Sequence, residues 1–130
     1  MIERRKREIE LVEVTFGELG IAEDYSWFVI PNYTLPAGWN KPSTAILILL
    51  DPGYPETPPD NFYADFDLRL ANGVRAEGET DGPTHNERQW QTFSWHFVDT
   101  NEWQPHADAE KGHNLLTFMD GVVQRLSEPN

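Results

Sequence analysis

An α+β fold, with an antiparallel meander held between an N-terminal and a C-terminal helix, is predicted by three observations. Ile9, Val12, Phe16 and Leu19 fall at spacings of three, four and three near the start of the chain, one face of a helix. Leu115, Phe118, Met119, Val122, Val123 and Leu126 repeat that spacing near the end. Between them lie aromatic and β-branched runs at residues 25–30, 45–50 and 90–98, separated by Gly, Pro, Asn and Asp. Runs of strands flanked by helices place the helices on one side of a sheet.

Each element follows from local chemistry. Residues 2–19 are rich in Glu, Arg and Lys, and Gly17 and Gly20 end the helix. Val12, Val14 and Phe16 also alternate with polar residues as a strand would, but the helical reading covers more of the segment. Residues 25–30 read as a strand stopped by Pro31-Asn32, and Leu35-Pro36-Ala37-Gly38 as a turn. Residues 45–50 are continuously apolar, which predicts a strand buried on both faces. The four prolines between Pro52 and Pro59 fix φ and remove donors, so that stretch is irregular. A short strand follows at 62–66, then a turn at Asn72-Gly73 and a loop over 77–83 with no apolar content. Asn114 is placed to cap the final helix.

The 130 residues carry 22 acidic and 10 basic side chains, a formal charge of −12, and fit one domain over 1–130. Four of the basic residues are Arg4, Arg5, Lys6 and Arg7, so the rest of the chain is more acidic still. Such a surface repels phosphate backbones, which argues against nucleic acid and fits a basic protein partner. The longest apolar run, 45–50, is far short of the ~20 residues of a membrane span, and residues 1–20 hold no apolar signal core. No membrane association and a cytoplasmic setting are expected. There is no cysteine. That excludes a disulfide framework, a thiolate metal site, a Cys nucleophile and any thioester carried on cysteine.

The ordered motifs carry more. Gly53-Tyr54-Pro55-Glu56-Thr57-Pro58-Pro59 leads into Phe62. Thr84-His85-Asn86 follows, with Trp95 ten residues after His85 and Trp103-Gln104-Pro105 beginning eight residues after Trp95. In this order and spacing the chain resembles the ubiquitin-conjugating-enzyme-like superfamily, and is most similar to its prokaryotic family E. The resemblance implies a prokaryotic ubiquitin-like modification pathway, with a ubiquitin-like protein or its activating enzyme as partner. It implies structural roles for Tyr54, Pro55, Pro58, Pro59, Trp103 and Pro105. It also implies that the first helix takes part in docking the activating enzyme, so Arg4, Arg5 and Arg7 are candidate docking residues; the plainer alternative is a solvated helix face.

The departures are specific. Where the superfamily places its cysteine this chain reads Ser94-Trp95-His96, and His85 is not followed by proline. Thioester transfer needs a thiolate, so conventional conjugation is not expected. Period-two alternation puts Phe93, Trp95 and Phe97 on one face and Ser94 and His96 on the other. His96 is then a candidate nucleophile or general base, with Ser94, His85 and Asp99 as candidate companions; alternatively His96 only fills the strand end. A third reading gathers His85, His96, His106 and His113 with Asp99, Asp108 or Glu110 around a metal. Their spacings of 11, 10 and 7 match no helical metal motif, so neither metal nor cofactor is expected. Trp39 and Trp90 match no motif and are read as single exposed aromatics or as markers of a partner surface.

Overall fold

The computed structural model describes residues 2–94 and 103–130. Helix α1 spans Ile2–Phe16 and is followed by strands β1 (Gly20–Ile21), β2 (Trp27–Thr34), β3 (Ser43–Leu49), β4 (Asn61–Asp65), β5 (Glu79–His85) and β6 (Arg88–Ser94), then helix α2 (Leu115–Leu126). The strands form one antiparallel sheet in the order β1-β2-β3-β4-β6-β5. The expected α+β architecture, an antiparallel sheet with terminal helices, is what the chain adopts.

The two faces of the sheet differ. On one, Phe28, Ile30, Ile46, Ile48, Phe62 and Phe93 join Ile9 and Val12 of α1 and Leu115, Phe118, Met119, Val122 and Leu126 of α2 in the main core. Phe62 and Phe93 stack with centroids 5.0 Å apart. On the other face Ala45, Leu47 and Trp90 are buried, with Trp27, Val29, Leu49 and Tyr63 packed around them. β3 therefore buries both sets of its side chains, as its unbroken apolar run requires. Asn114 caps α2: its side chain accepts from Thr117 N at 3.2 Å, and Thr117 Oγ1 accepts from Asn114 N at 3.2 Å.

α1 ends at Gly17 as expected, where φ of +89° makes the left-handed cap that glycine adopts without a Cβ penalty, and Leu19 lies beyond it. Three local expectations are corrected. β2 runs through Pro31-Asn32, which together face Ala45 in a bulge between the pairs Ile30–Ile46 and Tyr33–Thr44. β1 pairs only with Phe28 and Val29, so no ladder bond is missed at Pro31. The expected loop over 77–83 is largely strand β5, an edge strand paired through its backbone to β6 and needing little apolar content. Its hairpin turns at Asn86 and Glu87, with φ of 53° and 63°. Trp39 and Trp90 are 6% and 2% exposed rather than surface aromatics. Trp39 Nε1 donates to Leu126 O at 2.8 Å, meeting a carbonyl at the end of α2, and the Arg88 guanidinium covers the Trp90 ring at 4.3 Å.

The β5–β6 hairpin bends where Gly82-Pro83 face Trp90 across the ladder. A Cβ at Gly82 would lie 2.4 Å from Trp90 O, so glycine is required there. Next to this bend Gln91 is wholly buried on the helix-facing side, and its side-chain oxygen and nitrogen find no hydrogen-bond partner among the described residues. Burying an amide unpaired costs about 1–3 kcal/mol. Gln91→Met keeps the side-chain length and removes the polar atoms. It is expected to raise the unfolding free energy in urea by about 1 kcal/mol; an equal or greater loss would show that Gln91 is satisfied in solution.

Candidate functional site

The ordered motifs meet where α1, the proline-rich turn and the 103–113 loop converge. The centre is Glu8, fully buried on α1. Its Oε1 accepts from the Tyr54 hydroxyl and, at 2.8 Å, from Leu115 N at the start of α2, while its Oε2 pairs with Arg4 one helical turn back. One carboxylate thus joins α1, the turn and α2. Its negative charge also suits the N-terminus of α2, where backbone N–H groups lack helical acceptors. Burial, and then the charge of Glu8, push the Tyr54 phenol well above its ordinary range, so Tyr54 is the donor in this pair.

The loop is fastened to the turn from the other side. Trp103 Nε1 donates to Pro55 O at 2.6 Å, and its ring lies 6.2 Å from that of Tyr54. His113 stacks on Trp103 at 5.7 Å, and its Nδ1 accepts from Gln104 N at 2.7 Å. His106 Nδ1 accepts from Asp108 N at 2.9 Å. Through these contacts His106 and His113 each accept a backbone hydrogen bond that shapes the loop.

The three arginines of α1 each have partners on the neighbouring loops, and Arg7 stays exposed. Arg4, besides Glu8, donates through Nη1 to His106 O and Ala107 O, which holds the loop against α1. Arg5 Nη2 lies 3.4 Å from the Asp51 and Pro52 carbonyl oxygens. Arg7 pairs with Glu110 at 3.1 Å, and both are exposed. The result is a cleft of about 410 Å³ lined by Arg4, Pro55, Glu56, Pro105, His106 and Ala107. Glu8 and Glu56 were not singled out from the sequence. The i,i+4 spacing of Arg4 and Glu8 was the available signal for the first; the second carried none.

Of the candidate chemical residues, Ser94 and His85 are described. Ser94 is the exposed last residue of β6, opposite Asn61, and Ser94 N donates to Gly78 O at 2.9 Å. Phe93 beside it is buried, as the alternation requires. His85 sits at the hairpin turn with its ring edge-on to Trp27 at 5.1 Å. No hydrogen bond joins His85 to Ser94 among the described residues. His96 and Asp99 lie outside the described residues.

With this geometry in place, the family model described as prokaryotic E2 family E matches residues 3–128. The chain belongs to that family. The match covers all but the first residue of α1 and every later element through α2, and includes the Tyr54-Pro55 turn and the Trp103-Gln104-Pro105 loop. A search of the curated proteins and of the solved structures found no match. The family makes this protein a conjugating-enzyme-like component with a ubiquitin-conjugating-enzyme-like fold. Among the described residues no helix is long and apolar enough to cross a membrane.

Proposed function

We propose that this family E member works in a prokaryotic ubiquitin-like modification pathway as a docking component, binding a ubiquitin-like protein or its activating enzyme without forming a thioester. The observation that carries the reading is the cleft between α1 and the two motif loops, in a chain without cysteine. The buried Glu8 and Trp103 contacts hold that surface in one arrangement before a partner arrives, which lowers the ordering cost of association. Titration calorimetry with the ubiquitin-like protein and activating enzyme encoded nearby tests it. Saturable binding to one of them is expected, and heats equal to dilution for both would refute it.

A second reading, non-thiol acyl transfer by Ser94 with His96 as base, draws on the exposure of Ser94 at the end of β6. Acyl transfer to a serine needs a base within hydrogen-bond reach. A covalent acyl adduct found by intact mass and lost in His96→Ala would favour this reading over docking.

A further inference from the structure

The charges around the cleft are unevenly met. Arg4 is neutralised by buried Glu8 and Arg7 by Glu110, so two of the three α1 arginines offer no uncompensated charge to a partner. Glu56, exposed on the cleft wall, has no hydrogen bond or ion pair among the described residues. Pro55, itself buried, Pro105 and Ala107 line the cleft beside it. The carbonyl oxygens of His106 and Ala107 each accept from Arg4 and retain a second lone pair. The chain as a whole carries −12.

A long side chain with an aliphatic stem and a cationic head fits these features together. The stem lies along this apolar lining, as lysine and arginine stems cover apolar surface elsewhere. The head meets the Glu56 carboxylate. A carboxylate ligand would instead face the like charge of Glu56, beside an arginine whose charge is met by Glu8 although its buried Nη2 has no hydrogen-bond partner among the described residues, and a purely apolar ligand would leave Glu56 partly desolvated without a counter-charge. We infer that the cleft seats a basic side chain, arginine or lysine, of the docking partner, with Glu56 as its counter-ion. This rests on the reading of the surface as a docking site and specifies what that partner presents. The acidic surface also steers a basic partner segment toward the site.

The probe is a capped tripeptide, acetyl-Gly-Arg-Gly-amide, titrated into the ¹⁵N-labelled protein at about 0.15 M salt, where long-range attraction is screened beyond ~8 Å. Amide shifts at Glu56, His106 and Ala107 are expected. The norleucine analogue should give smaller shifts at the same residues, and the glutamate analogue none. Glu56→Gln should weaken the arginine peptide at least about threefold, while Asp120→Asn, an exposed change on α2, should leave it unaltered. Equal shifts from the glutamate peptide, shifts centred elsewhere, or undiminished affinity in Glu56→Gln would overturn the inference. The peptide needs no partner protein, so the two readings fail separately. If the activating enzyme or ubiquitin-like protein binds and Glu56→Gln binds it equally, the basic-side-chain inference falls and the docking reading stands. If neither protein binds, the docking reading falls, and with it the partner named here.

Discussion

Glu8→Ala is expected to cost about 3–5 kcal/mol, the loss seen when one member of a buried ion pair is removed. Three groups would lose their acceptor together: the Arg4 guanidinium, the Tyr54 hydroxyl and the Leu115 backbone N–H. Since domains of this size hold only about 5–15 kcal/mol in total, the variant should be partly unfolded at moderate temperature. Chemical denaturation with tryptophan fluorescence reads the loss. Tyr54→Phe, which removes one donor and leaves Glu8 paired, should cost only about 1 kcal/mol. Replacing both partners, Arg4→Met with Glu8→Leu, should recover part of the stability lost in Glu8→Leu alone, because no charge is left buried without its counter-ion. A double variant no better than the single would show that Arg4 and Glu8 do not act as a pair.

The second large effect is expected at Trp103. It is 4% exposed, fills the space between the Tyr54 ring and His113, and donates to Pro55 O. Trp103→Ala is expected to cost about 3–5 kcal/mol through cavity formation. Trp103→Phe keeps most of the ring and loses the N–H, so about 1 kcal/mol is expected from the bond to Pro55. The two variants separate packing from hydrogen bonding. They also bear on docking, since the 105–107 segment that lines the cleft begins two residues after this anchor. A Trp103→Ala variant that is stable and keeps full partner affinity would contradict the role given to this loop.

These residues also show what could be read from the sequence. The helices were legible because one face of each is buried against the sheet, which writes a 3.6-residue period into Ile9–Val12 and Leu115–Leu126. β3 was legible because both of its faces are covered. β5 was not, because only Glu79 of its seven residues is buried and its pairing is carried by the backbone, which leaves no side-chain signature. Glu79 itself is held by Ala76 N at 3.0 Å and Arg69 at 3.1 Å, contacts from an irregular segment that no local pattern anticipates. The passage of β2 through Pro31 depends on the shortness of β1, a tertiary fact.

At the site, the rigid parts could be read and the charges could not. Tyr54, Pro55, Trp103 and Pro105 stand where motif order implied, anchoring two loops to each other. Arg4 and Arg7 looked like a free basic face because charge patterning along one helix does not reveal partners on a loop 100 residues away. Arg4 is instead a strut between α1 and the 106–107 carbonyls. Glu8, one acidic residue among several on a polar helix, offered only its i,i+4 spacing from Arg4, which does not place it at the start of α2. His85, matched by spacing to Ser94 and His96, packs on Trp27 across the sheet.

Docking without covalent capture is tested by mixing the 15.0 kDa protein with the ubiquitin-like protein, the activating enzyme and Mg-ATP, and weighing the same sample first under native and then under denaturing conditions. A complex containing this chain is expected in the native spectrum, and the chain at its unmodified mass after denaturation. A ubiquitin-like adduct that survives denaturation, or a native spectrum with the chain only as free protein, would contradict it.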